Sequence, residues 1–177
     1  MSHAHARNHL HVVFAVKGRR NLIEDPDKLW AYMRGIARNY QIDLEAIGGT
    51  ENHVHILMAL PPKVSLSDAM RALKANSSKW MNENGHRFAW QEGYAAFSVS
   101  VSNLEQVAAY VRNQPEHHKH RTFEEEFLAL LQKHGIQADP AQVFADGAAL
   151  RAYPLSKSSS QRSRAGLTQM SPSGLSD

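Results

Sequence analysis

The sequence has no cysteine, few aromatic residues and no apolar run long enough to cross a membrane. Of its 177 residues, 8% are aromatic and none is cysteine. The lack of cysteine excludes disulfide bonds, thiolate metal sites and a cysteine nucleophile. The N-terminus also lacks the apolar core of a signal peptide, so we expect a cytoplasmic protein with no membrane partner.

The remaining composition fits one folded domain with appendages. A hydrophobic fraction of 42% is enough for a core, and the net charge is +3 with histidines neutral. This mildly basic balance permits a polyanionic partner without requiring one.

Hydrophobic periodicity and turn residues predict the secondary structure. Strands are predicted at 9–17, 42–50, 53–60 and 94–101, and helices at 25–40, 65–80, 103–114 and 122–134. Three helix starts carry the pattern of a capping box: Ser65 with Asp68, Asn103 with Gln106, and Thr122 with Glu125. Gly48-Gly49 is interpreted as a turn between two strands.

This order of elements predicts an α+β fold. The sheet is expected to be antiparallel, ferredoxin-like or RRM-like, and backed by helices. Residues 1–8 are predicted to be flexible, 9–134 to form the domain, and 135–152 to be a helical or irregular extension. The Ser-rich, basic segment 153–177 is predicted to be a disordered tail, because it cannot bury enough apolar surface to fold.

The segment Asn52–Met58 contains two histidines separated by one apolar residue. Successive side chains of a strand alternate faces, so His53 and His55 should share one face. Two similar patterns occur at 3–5 and 9–11. The first lies in a polar terminus. The second is interpreted as edge or structural histidines, or as residues near the site, whereas the predicted topology puts 53–60 at the centre of the sheet.

Tyr110 and Gln114 are four residues apart in a predicted helix and should also share a face. Each alone has an ordinary interpretation, a packed tyrosine and a solvated glutamine. His117, His118 and His120 are interpreted as a solvated helix end. Together, however, two imidazoles, an amide oxygen and a phenol supply what metal-assisted attack on a phosphodiester needs.

These motifs, in this order, resemble the single-tyrosine transposases of small insertion sequences, within the HUH endonuclease superfamily, and their domesticated relatives associated with repetitive extragenic palindromes. The resemblance covers about residues 9–134. The segments that carry it are 9–14 with the following Lys17 and Arg19-Arg20, 52–57, Gly93-Tyr94 with 97–100, and 110–114.

The resemblance implies a site and a reaction. His53, His55 and Gln114 would bind a divalent metal, Mg²⁺ or Mn²⁺, and Tyr110 would attack single-stranded or hairpin DNA to form a 5′-phosphotyrosine. Pro115 should kink or end the helix beside Gln114. A homodimer is also implied, in which the Tyr110 helix completes either the partner's site or its own, although some relatives with longer C-terminal segments act as monomers. Basic residues that could contact phosphates are Lys17, Arg19, Arg20, Arg71 and Lys74.

Three other interpretations stay open at this point. A non-catalytic RRM-like module would bind nucleic acid by stacking bases on exposed aromatic residues of the central strands, for which Phe14 is the clear candidate. A histidine-based metal sensor would leave Tyr110 with a structural role. A domesticated endonuclease would cut repetitive palindromic DNA with the same residues.

Overall fold

A computed structural model describes residues 6–145 and contains one four-stranded antiparallel sheet. The strands are β1 (His9–Ala15), β2 (Asp43–Gly49), β3 (His53–Ala59) and β4 (Ala95–Ser98), in the order β2-β3-β1-β4. One helix joins β1 to β2 and another joins β3 to β4. This is the predicted ferredoxin-like arrangement, and it puts β3 in the interior of the sheet.

Six helices accompany the sheet in the described part of the chain. They are α1 (Pro26–Asn39), α2 (Leu66–Glu83), α3 (Leu104–Arg112), α4 (Gln114–His117), α5 (Phe123–Lys133) and α6 (Pro140–Val143). Within the described range, none is long and apolar enough to cross a membrane. Of the predicted extension 135–152, residues 135–145 are described and contain α6, while 146–152 and the tail 153–177 lie outside the described residues.

Two of the three predicted caps are confirmed. Ser65 accepts a hydrogen bond from the Asp68 backbone, and Thr122 and Glu125 form a complete capping box. The prediction at Asn103 was wrong, because its side chain makes no capping bond. The chain enters α3 through a 3₁₀ turn at Val101–Asn103 instead, and this turn also ends β4 earlier than predicted and leaves Val101 55% exposed.

The two faces of the sheet have different partners. Val12, Phe14, Val54 and Ile56 point into the main core, which also contains the apolar residues of α1 and α2. The opposite face packs against two smaller clusters contributed by α3, α5 and α6. Because side chains alternate along a strand, His53 and His55 lie on this second face.

Gly48 and Gly49 are not the predicted turn. They end β2, where Gly48 lies opposite His55 and Gly49 opposite Val54. A β-carbon at Gly48 would overlap the carbonyl oxygen of Val111 in α3. The glycine is therefore needed because a helix backbone packs directly onto the strand, which brings α3 and its Tyr110 close to the sheet.

Substituting Gly48 with alanine is expected to lower the free energy of unfolding by about 1–3 kcal/mol, because the added carbon forces α3 away from β2. Chemical denaturation measures this directly. Gly35→Ala is the matched control, since Gly35 sits inside α1 and a β-carbon added there would have nothing within 4 Å. The free energy of unfolding of that variant should rise by about 0.5–1 kcal/mol. Equal stability changes in both variants would contradict the close approach at Gly48.

Candidate active site

His53 and His55 are fully buried side by side on the face of β3 that α3 and α5 cover, with ring centroids 5.1 Å apart. Burial, reinforced by the neighbouring His55 and His118, lowers the pKa of His53 to about 2. Burial likewise lowers the pKa of His55. Both imidazoles are therefore neutral near pH 7, which is the form that binds a metal ion.

The polar groups around His53 fix which ring nitrogen faces the cavity. Its Nδ1 lies 2.7 Å from Asn52 Oδ1 and 3.0 Å from Thr50 Oγ1. An amide oxygen only accepts, so Nδ1 carries the proton and Nε2 presents its lone pair. This Nε2 is buried without a hydrogen-bond partner. The ring of His55 is arranged like that of His53. Its Nδ1 lies 3.0 Å from His11 Nε2, and its Nε2 lacks a hydrogen-bond partner.

Glu126 is a site residue that the sequence analysis missed. It lies on α5 with 1% of its surface exposed. Its Oε2 is 3.3 Å from His55 Nε2 and 3.0 Å from His118 Nε2, and its Oε1 accepts from the hydroxyl of Tyr110. The signal was present, because a charged residue three positions after Phe123 and one before Phe127 falls in the apolar stripe of an amphipathic helix.

The interpretation of His118 as a solvated helix end was wrong. Its side chain is 11% exposed, its Nδ1 donates to the carbonyl of Arg121, and its Nε2 donates to Gln114 Oε1. Burial opposes a charge on this ring, but the contacts with Glu126 prevail and raise the pKa of His118. With both nitrogens facing acceptors, His118 is the cationic partner of Glu126. His120 is exposed, as expected.

Burial of Glu126 works against its negative charge, but the surrounding groups outweigh it. The imidazoles of His118 and His55 and the hydroxyl of Tyr110 hold the pKa of Glu126 below its usual range. The carboxylate is therefore ionised inside the protein, at a position where several polar side chains converge.

These residues fit a divalent metal. One ligand atom from each of His53, His55, His118 and Glu126 can be chosen so that all lie within 4.8 Å of one another. Among them, His53 Nε2, His55 Nε2 and Glu126 Oε2 are buried without hydrogen-bond partners. Buried polar atoms are normally hydrogen-bonded, so three that lack a hydrogen bond within one cluster fit an ion site.

Gln114 adjoins this cluster and is fully buried. The predicted helix does break here, since α3 ends at Arg112 and α4 begins at Gln114 with Pro115 in its first turn. The amide nitrogen of Gln114 donates to Glu126 Oε1 at 3.1 Å, while its oxygen faces His118. Gln114 is thus within the predicted site and contacts two of its charged groups.

Tyr110 packs over the histidines of its own chain. Its ring centroid is 5.9 Å from those of His11 and His55 and 5.4 Å from that of His117. Burial, together with the hydrogen bond and the charge of Glu126, raises the pKa of Tyr110. The phenol is consequently protonated in this arrangement, and its oxygen is held next to the buried carboxylate.

The five residues predicted to contact phosphates form two groups, one at the turn after β1 and one on α2. Lys74 donates to the carbonyls of Gln91 and Gly93, both at 2.6 Å, and burial lowers its pKa to about 8. Arg19 pairs with Glu124 at 2.8 Å, and Arg71 pairs with Asp68 on the exposed surface of α2. Lys17 and Arg20 are exposed around the turn after β1.

The sheet is not a platform for stacking bases. Phe14, the aromatic residue on which the RRM-like interpretation depended, is 1% exposed and packs edge-on against Trp90 at 4.8 Å. The opposite face of the central strands is covered by α3 and α5. Base stacking needs an open aromatic surface, so this part of the chain does not support that interpretation.

Comparisons with known proteins point to one family. Residues 4–114 match the sequence profile of the family described as "Transposase IS200 like". The chain is 28% identical over 119 residues to the transposase of insertion sequence element IS200 from Salmonella typhimurium, covering 62% of this chain and 78% of the relative. It is 25% identical over 114 residues to the ISDra2 transposase TnpA of Deinococcus radiodurans, covering 59% of this chain and 81% of the relative.

Two solved structures share the fold. A candidate transposase from Deinococcus radiodurans R1 matches with a TM-score of 0.51 and 25% identity, over 64% of this chain and 98% of that one. A REP-associated tyrosine transposase, solved bound to a REP hairpin, matches with a TM-score of 0.52 and 16% identity, over 67% of this chain and 74% of that one.

Proposed function

Because this chain belongs to the IS200-like transposase family, which makes it a DNA transposase, we propose that it cuts and rejoins single-stranded DNA through a covalent link to Tyr110. The observation that carries the proposal is the position of this half-buried tyrosine, whose ring lies 5.9 Å from that of the buried His55. A nucleophile and a set of metal-binding side chains are thereby provided by one chain.

Family membership implies dependence on a divalent metal, and the cluster around His53 and His55 fits one. We propose Mg²⁺ or Mn²⁺ as the ion, with His53, His55 and Gln114 as ligands according to the family pattern. When bound, the ion supplies positive charge to the scissile phosphate and so offsets charge that builds up in the transition state.

The chain's own residues carry the other parts of the reaction. The oxygen of Tyr110 bonds to phosphorus while the bond from phosphorus to the 3′ oxygen breaks, and the proton of the phenol is balanced by the proton that the 3′ oxygen gains. The 5′-phosphotyrosine conserves the phosphodiester energy. A second 3′-hydroxyl can therefore reverse the step and join strands without ATP.

The proposed substrate is single-stranded DNA that carries a hairpin. The REP-associated relative in complex with a REP hairpin supports this choice. A mobile element and a domesticated enzyme acting on repetitive palindromes would use the same chemistry and differ in their target DNA. Among the basic residues, Lys17 and Arg20 are the better candidates for phosphate contacts, because Lys74 and Arg19 are engaged within the protein.

Single-stranded DNA should form a covalent adduct and a perfect duplex should not. The expected difference is roughly 100-fold, since exposing a paired nucleotide costs a few kcal/mol. The probe is a library of randomised oligonucleotides with an internal hairpin, labelled at the 3′ end because that fragment stays attached to the tyrosine. Denaturing gels with Mn²⁺ measure the adduct, and the annealed library is the control. Equal adduct from both forms would contradict the proposal.

We also propose a homodimer, with each subunit using its own tyrosine. The short strand β4 lies at one edge of the sheet, and edge strands can pair with another chain. Because Tyr110 packs over the histidines of its own chain, mixing His53→Ala with Tyr110→Phe should restore no cleavage after subunit exchange. Light scattering should give the mass of two chains. Restored cleavage would contradict the cis arrangement, and a monomeric mass would contradict the dimer.

A further inference from the structure

The helix that supplies Glu126 lies outside the family match, which ends at residue 114. Nevertheless Phe123, Phe127 and Leu131 of α5 pack on the sheet, and this packing carries Glu126 into the cluster around His55. Burying a carboxylate is costly unless it is paired or binds a metal. The ion pair with His118 at 3.0 Å supplies part of this compensation, and a cation bound beside His55 would add to it.

The two oxygens of Glu126 face different groups. Oε1 accepts from the Tyr110 hydroxyl and from Gln114 Nε2 at 3.1 Å. Oε2 lies 3.0 Å from His118 Nε2, its ion-pair partner, and 3.3 Å from His55 Nε2, which has no hydrogen-bond partner. One oxygen thus holds the nucleophile, and the other faces the same space as the unpartnered histidine nitrogens.

His118 is a poorer candidate than Glu126 for a metal ligand. Both of its ring nitrogens already face acceptors: Nδ1 lies 2.8 Å from Arg121 O, and Nε2 lies 3.0 Å from both Gln114 Oε1 and Glu126 Oε2. By contrast, His53 Nε2, His55 Nε2 and Glu126 Oε2 are the three unsatisfied atoms of the cluster. Two imidazoles and one carboxylate are a known donor set for divalent ions that leaves positions open for other ligands.

We propose that Glu126 is a metal ligand through Oε2 and, through Oε1, the residue that positions Tyr110 relative to the ion. This inference rests on the proposed function and adds a carboxylate from α5 to the ligands that the family pattern supplies. Carboxylate oxygen suits Mg²⁺ and Mn²⁺ better than imidazole and amide groups alone. The same carboxylate makes the metal site and the nucleophile a single unit.

The test is a titration of the full chain with Mn²⁺ in the absence of DNA. Electron paramagnetic resonance of the free ion measures how much Mn²⁺ is bound. Glu126→Gln keeps the size of the side chain and removes its charge, so Mn²⁺ affinity should fall by about 10–100-fold or more. Glu105→Gln removes an exposed carboxylate from α3 and should bind as the wild type does.

Glu126→Asp provides a second variant that keeps the charge on a shorter side chain. It should bind Mn²⁺ more tightly than Glu126→Gln, yet form adduct more slowly than the wild type at saturating Mn²⁺, since Tyr110 is no longer held in place. Melting temperatures without metal establish that each variant is folded. Wild-type Mn²⁺ affinity in folded Glu126→Gln would overturn the ligand role of Glu126, and wild-type adduct formation in folded Glu126→Asp would overturn its positioning role. A wild-type chain that binds no Mn²⁺ would instead contradict the proposed metal-dependent function.

Discussion

Replacing Tyr110 with phenylalanine is expected to abolish the covalent adduct and lower strand cleavage by at least about 10⁴-fold, because the attacking oxygen is removed. The ring that packs against His11 and His55 remains. The hydrogen bond to Glu126 is lost, so the free energy of unfolding should fall by about 1–3 kcal/mol. The measurement is adduct formation with a 3′-labelled single strand on a denaturing gel.

Tyr94→Phe is the matched control for this prediction. Tyr94 packs against the core on the opposite side of the sheet, away from the histidines. Removal of the Tyr94 hydroxyl should leave adduct formation near the wild-type level. Adduct that persists in Tyr110→Phe would assign the nucleophile to another residue, with Tyr94 and Tyr153 the next to test.

Alanine at His53 or His55 is expected to eliminate cleavage and weaken Mn²⁺ binding by at least about 100-fold, since loss of a direct ligand should cost no less than loss of a supporting one. Each imidazole presents an unpartnered Nε2 to the cluster. Mn²⁺ binding, measured without DNA, separates loss of the metal from loss of DNA contacts.

The control here is His9→Ala. His9 is also buried and lies on the same face of the sheet, but its Nδ1 pairs with Glu45 at 3.0 Å, at the other end of β1. This variant should lose some stability and retain both Mn²⁺ affinity and cleavage. Wild-type cleavage by His53→Ala or His55→Ala would show that the site has been assigned to the wrong residues.

The parts of the fold that depend on local spacing were predictable. Alternation along 53–60 gave the correct face for both histidines, and the caps at Ser65 and Thr122 were recognisable from neighbouring residues. Gly48 was misinterpreted for the opposite reason. Glycine is required at position 48 because of the backbone of Val111, a residue distant in sequence. In the sequence alone, two adjacent glycines are equally typical of a turn.

The same distinction explains the site. His53 and His55, and likewise Tyr110 and Gln114, are related by the period of one strand or one helix. Glu126 enters the site only because α5 packs across the sheet, which is a tertiary event without a short sequence motif. His118 enters it from the end of α4, where it contacts Gln114 and Arg121. The prediction that a break follows at Pro115 succeeded because the restriction imposed by proline is local.

The central claim is that Tyr110 becomes covalently joined to DNA, and peptide mass spectrometry of the adduct tests it most directly. The full chain is incubated with Mn²⁺ and the hairpin library, and the adduct is digested with nuclease and protease. The account predicts a nucleotide 5′-phosphate on the peptide that contains Tyr110. A nucleotide on any other residue, or cleavage without an adduct, would contradict it.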